Sequence, residues 1–84
     1  MLITNRQGCT LKAYAFHRKH GKGNTTVIKP GETGKVEDLV TSDGRVIPIL
    51  GDLVCQEKPD NNGVQMAPIE LIFNEELSVK IDCS

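Results

Sequence analysis

The chain predicts an all-β domain: a small antiparallel β-sandwich or barrel of about seven short strands, with at most one helical turn. Three observations predict it. Apolar and polar residues alternate with a period of two, most clearly where Leu77, Val79, Ile81 and Cys83 interleave with Ser78, Lys80 and Asp82. Turn-forming pairs (Pro30-Gly31, Asp43-Gly44, Asn62-Gly63) punctuate the chain at short intervals. No window places apolar residues at i, i+3, i+4 and i+7 over the turns of an ordinary helix.

Taken in order, the strands fall near Leu2–Thr4, Thr10–His17, Thr25–Lys29, Lys35–Leu39, Arg45–Leu50, Leu53–Glu57, Ala67–Phe73 and Leu77–Cys83. In Thr10–His17, Leu11, Ala13 and Ala15 occupy one side and Tyr14 and Phe16 the other, which suits a strand covered on both faces. His20-Gly21-Lys22-Gly23-Asn24 is a glycine-rich connection. Pro30-Gly31 suits a type II turn, because proline presets φ and glycine accepts a positive φ next. Val36-Glu37-Asp38-Leu39-Val40 is the one candidate for a helical turn. Asp43-Gly44 and Asn62-Gly63 read as hairpin turns. Pro48 lacks a backbone donor, which puts its strand at an edge or a bulge. The short first strand is a second expected edge.

The 84 residues are enough for one domain, residues 1–84, and too few for two cores. Tyr14, Phe16 and Phe73 are the only aromatics and Trp is absent, so the core has to be built from Ile, Val and Leu. Cys9, Cys55 and Cys83 are an odd number at irregular spacing, without a C-x-x-C pair. They read as three small, buried thiols rather than a disulfide framework, in keeping with a reducing compartment.

The formal charge of −1 lacks the basic excess of a protein that grips phosphate backbones, which counts against nucleic acid as a partner. No apolar run is long enough for a membrane span. The opening Met1-Leu2-Ile3-Thr4-Asn5-Arg6 lacks the order of a secretory signal, so the chain is expected in the cytoplasm during synthesis.

Candidate contact residues fall in two polar loops. The first is the basic run His17, Arg18, Lys19, His20 and Lys22, whose plain reading is a solvated hairpin loop. If it binds something, an acidic protein surface competes with phosphate. The second is Lys58, Asp60, Asn61 and Asn62. His17 and His20 have H-x-x-H spacing, but no motif supplies further ligands, so no metal is assigned. Gly21-Lys22-Gly23-Asn24-Thr25-Thr26 lacks the Lys-Ser/Thr pair and the following helix of a phosphate loop. Nothing in the spacing brings a nucleophile, a base and an orienting group together, so no catalytic residue and no cofactor are assigned, and the chain reads as a non-enzyme.

Asn5 after a short opening strand, followed by the strand–turn–strand unit Thr26-Val27-Ile28-Lys29-Pro30-Gly31-Glu32-Thr33-Gly34-Lys35-Val36, resembles small β proteins of tailed-phage virions, of the decoration or cement type. The resemblance runs over nearly the first half of the chain and transfers no functional residue. It implies a structural or assembly protein of the virion, decorating the capsid or forming a minor part of it. Such a protein would bind other protein chains as a homo-oligomer or in a capsid-type lattice. Strand addition at sheet edges or docking of loops would be the means. The alternatives are a small inhibitor or regulator of one host protein, and a small-barrel nucleic-acid binder acting through the 17–23 loop.

Overall fold

The alternating run near the C-terminus becomes the spine of the molecule. In the computed structural model, which describes residues 1–58 and 64–84, β2 (Leu11–His17) and β11 (Leu77–Cys83) pair antiparallel along their whole length. Cys83 lies opposite Leu11 at one end and Leu77 opposite His17 at the other. β10 (Ile69–Ile72) flanks β11, while β3 (Gly21–Lys22) and β4 (Thr26–Ile28) share the far side of β2. Every pair in this sheet is antiparallel.

A second, mixed sheet contains β1 (Leu2–Arg6), β5 (Thr33–Lys35), β8 (Asp52–Gln56) and β9 (Val64–Gln65), in the order β5–β1–β8–β9. β5 runs antiparallel to β1, whereas β1–β8 and β8–β9 are parallel. β6 (Leu39–Val40) and β7 (Val46–Ile47) form a separate small hairpin around Asp43-Gly44. The all-β class is as expected, and the two open sheets on one core make it a sandwich. Among the described residues the strands number eleven because several are only two residues long, and two of the pairings are parallel. Among the described residues no helix is long and apolar enough to cross a membrane.

The core holds what the composition allows. Ile3 and Leu53 from the mixed sheet join Leu11, Ile28, Val79 and Ile81 from the antiparallel sheet in one cluster, with Val36 and Ile49 from the connections. Each fully buried Ile or Leu contributes about 2 kcal/mol of transfer free energy. Ala13 lies opposite Ile81 and Ala15 opposite Val79, so these two core-facing rungs of the β2–β11 ladder each set a small residue against a large one. Tyr14 and Phe16 are only half-buried on the outer face, each ring carrying a lysine: Lys22 Nζ lies 4.6 Å from the Tyr14 centroid and Lys80 Nζ 4.7 Å from that of Phe16. Lysine stems, rather than another layer, cover that side.

Polar groups join the sheets where the chain passes from β1 to β2. Asn5 is fully buried. Its Nδ2 donates to the carbonyls of Cys9 (2.8 Å) and Ile28 (2.9 Å), and its Oδ1 accepts from the Gln7 N–H (2.9 Å). Gln7 Oε1 accepts from the Ala67 N–H (2.9 Å). Beside this network Cys9 and Cys83 form a disulfide, with Cα atoms 5.6 Å apart and a sequence separation of 74. This corrects the reading of three thiols. Chain separation hides the pair, and the β2–β11 register creates it by setting Cys83 opposite Leu11, two residues after Cys9. The support that three thiols lent to a reducing compartment goes with it. Cys55 alone is free; it is buried, and burial pushes its thiol pKa up.

Three local expectations also change. Val36–Val40 is extended rather than helical: the Val36 N–H donates to the Met1 carbonyl (2.8 Å), the Met1 ammonium donates to the carbonyls of Val36 and Ile49, and Asp38 Oδ1 accepts from the Ile49 N–H (2.8 Å). These tertiary bonds claim groups a helical turn would use. Asn62-Gly63 lies outside the described residues, but the strands flanking it, β8 and β9, run parallel, so they are not the arms of a hairpin. β1 is central in its sheet rather than an edge, because β5 and β8 cover its two sides. The Pro30-Gly31 turn forms as expected, with Gly31 at φ 83° and the Glu32 N–H donating to the Lys29 carbonyl at 3.0 Å. It carries the chain from one sheet to the other.

Candidate functional site

A cleft of about 430 Å3 opens at the His17–Leu77 end of the antiparallel sheet. Three segments distant in sequence line it. The tight β2–β3 turn supplies His17, Lys19 and His20; the β6–β7 hairpin supplies Thr41, Arg45, Val46 and Ile47; the β10–β11 turn supplies Glu76. The turn closes because Gly21 takes φ 81°, where a Cβ would be strained, and because the Arg18 N–H donates to the Glu76 carbonyl at 2.8 Å.

His17 is the fixed element. It ends β2 on the inward face and is 7% exposed. Its Nδ1 accepts from the Lys19 N–H (3.1 Å), which puts the proton of the neutral ring on Nε2. Nε2 lies 3.4 Å from Glu76 Oε2, and Lys19 Nζ lies 3.4 Å from Glu76 Oε1, so one carboxylate spans both groups. The His20 ring sits against that of His17, centroids 4.7 Å apart. Across the cleft, Arg45 Nε donates to Asp43 Oδ2 (3.0 Å), the Arg45 N–H donates to Thr41 Oγ1 (3.0 Å), and the Thr41 hydroxyl donates to Asp43 Oδ1. That hydroxyl is the main reason the Asp43 carboxyl is held below its ordinary pKa, with the Arg45 contacts adding to the effect.

The cleft thus carries donors with capacity to spare. Arg45 commits only Nε to Asp43, leaving its terminal N–H groups, and Lys19 has more protons than its bond to Glu76 uses. Apolar surface lies beside these heads in the cleft wall: Val46 is 58% exposed and Ile47 is half-buried. Such a lining suits a polar or acidic side chain flanked by apolar contacts. The Thr41 hydroxyl already donates to Asp43, and the free thiol of Cys55 lies in the core. Among the described residues no group of three His, Cys, Asp or Glu side chains is placed to hold a metal.

Of the residues singled out from sequence, the structure brings His17, Lys19 and His20 together here. Arg18 is exposed on the turn, and Lys22 points to the outer face over Tyr14. Lys58 is exposed near the opposite corner; the Lys58 carbonyl accepts from Gln56 Nε2 (2.8 Å), and the neighbouring Glu57 carboxylate accepts from the Gly8 N–H (3.1 Å). Asp60, Asn61 and Asn62 lie outside the described residues. The basic run is a hairpin turn as expected, but His17 is buried rather than solvated. Glu76, Thr41 and Arg45 were not singled out, since each reaches the cleft from another segment and none belongs to a local motif. No family model matches the chain, and neither a curated protein nor a solved structure gives a significant match.

Proposed function

We propose that this chain is a non-enzymatic binding protein that seats part of a partner protein at its open end, as a structural or assembly component of a particle such as a phage virion. One observation carries the reading. Three separate segments converge on a cleft that combines cationic donors with the apolar side chains of Val46 and Ile47, while the opposite end of the same ladder is closed by a disulfide and a buried polar network. Mixed polar and apolar linings of this kind suit the side chains of a partner surface better than chemistry on a small substrate, because the Thr41 hydroxyl and the His17 Nδ1 are both engaged within the fold.

The test is binding to particles or partner complexes of the native source, followed by co-sedimentation. Lys19→Ala combined with Arg45→Ala is expected to abolish binding without changing the circular dichroism spectrum. Native protein that binds neither particles nor any partner chain, or a double variant that binds as well as the native chain, would contradict the reading.

A further inference from the structure

The cleft at the His17–Leu77 end holds an uneven set of hydrogen-bonding groups. Each carboxylate oxygen there already has a partner. Glu76 Oε1 faces Lys19 Nζ and Oε2 faces His17 Nε2, each at 3.4 Å. Asp43 Oδ1 accepts from the Thr41 hydroxyl and Oδ2 from Arg45 Nε. The donors are not used up. Lys19 keeps ammonium protons and Arg45 its terminal N–H groups, on side chains that are 71% and 73% exposed. Among the described residues the exposed His20 ring makes no hydrogen bond and rests against the His17 ring. A site with spare donors and no unpartnered carboxylate takes a ligand that brings acceptors of its own.

Charge decides when such a ligand is attracted. At neutral pH, Glu76 and Asp43 offset Lys19 and Arg45. Arg18 and Glu75, the next charges along the two turns, offset each other. The cleft then has no net charge to draw an anion. Histidine is the side chain whose charge changes between about pH 5 and 8. In His17 the added proton would have to go on Nδ1, which already accepts from the Lys19 N–H (3.1 Å). His20 can take one without breaking a hydrogen bond of the described fold. The groups that share the cleft with it are His17 on β2, Lys19 on its own turn, Glu76 from the β10–β11 turn, and Thr41 and Arg45 from the small hairpin. Glu76 is already divided between His17 and Lys19, so a proton on His20 adds a positive charge with no counterion of its own.

We propose that the cleft takes the ionised carboxylate of an aspartate or glutamate side chain from a partner protein, and that protonation of His20 strengthens its capture. This rests on the reading of the cleft as a partner's seat and names what is seated. With Nε turned to Asp43, Arg45 offers the end of its guanidinium, a fork that fits both oxygens of a carboxylate. The apolar wall selects the source of the anion. Val46 and Ile47 stand beside the donors, where the stem and aliphatic neighbours of an acidic residue bury surface that a bare phosphate would leave wet.

An amide-resolved NMR titration of the full chain tests it, with acetyl-Leu-Glu-Leu-amide, its Gln counterpart and inorganic phosphate as probes. The Glu peptide is expected to shift the amides of Lys19, His20, Arg45 and Val46. It should bind about five-fold tighter at about pH 5.5 than at about pH 7.5. The Gln peptide should not bind, and phosphate should bind more weakly than the Glu peptide. His20→Gln, at an exposed position, should keep the native circular dichroism spectrum and bring the affinities at the two pH values together. A Glu peptide that binds at neither pH, or equally at both, would overturn the proposal. So would equal binding of the Gln peptide, tighter binding of phosphate, or a pH dependence that survives His20→Gln. Source particles that bind through Lys19 and Arg45 equally well at both pH values would also overturn it, while leaving the cleft as a partner's seat.

Discussion

At one end of the β2–β11 ladder, Cys83 faces Leu11, the Thr10 N–H and Ser84 N–H each donate to the other's carbonyl at 2.9 Å, and the Cys9–Cys83 disulfide locks the pair. Asn5 and Gln7 satisfy the backbone groups around it. At the other end, Leu77 faces His17, and beyond them lie a cleft, a loosely paired Glu76 and the exposed Ile72 and Phe73. The same two strands reach both ends. The difference teaches that this small domain concentrates its cross-links where the chain changes sheets, and leaves polar donors and apolar surface uncommitted at the far end.

The largest effect should come from opening the closed end. Cys9→Ser with Cys83→Ser releases a 74-residue separation, and loop-closure entropy puts the loss at about 4 kcal/mol. Denaturant unfolding measures it. A thiol assay checks the pairing itself: the native protein should show no reactive thiol, and the denatured, non-reduced protein one, Cys55. Asn5→Ala comes next. It strips three hydrogen bonds from buried backbone groups and should cost about 3 kcal/mol by the same measurement. Gly34→Ala should cost about 1–2 kcal/mol through overpacking, since a Cβ there would lie 2.5 Å from Ile28 Cγ1.

Substitutions at the open end should separate stability from binding. Lys19→Ala and Arg45→Ala remove exposed ion pairs and should lower the unfolding free energy by less than about 0.5 kcal/mol. A large loss of stability there would erase the contrast between the ends. The smallest effect concerns Asp43. Its pKa is lowered by the Thr41 hydroxyl, so the contribution of its ionised form is present above the ordinary value of 3.8 and is lost only as pH falls through the lower folded value. The Asp43 carboxyl carbon, followed by NMR, should titrate below 3.8 in the native protein and move up toward it in Thr41→Ala.

Local chemistry was legible in the sequence and pairing was not. Alternation marked β11 to the residue and β2 to within one, because period-two patterning reports a strand directly. Pro30-Gly31 and Asp43-Gly44 turned the chain where expected. The Cys9–Cys83 pair, the parallel neighbours of β8 and the extended Val36–Val40 depend on residues tens of positions away, which no window of sequence contains. The site divides in the same way. His17, Lys19 and His20 come from one basic turn and could be found; Glu76, Thr41 and Arg45 join them only through the register of Leu77 with His17 and the placing of the small hairpin.

Native-state amide exchange, read residue by residue along β2 and β11, tests the contrast between the two ends most directly. Amides near Leu11–Ala13 and Ile81–Cys83 should exchange only through global unfolding, whereas those near Phe16–His17 and Leu77–Ser78 should exchange through smaller local openings. Equal protection along both strands, or stronger protection at the His17 end, would contradict it.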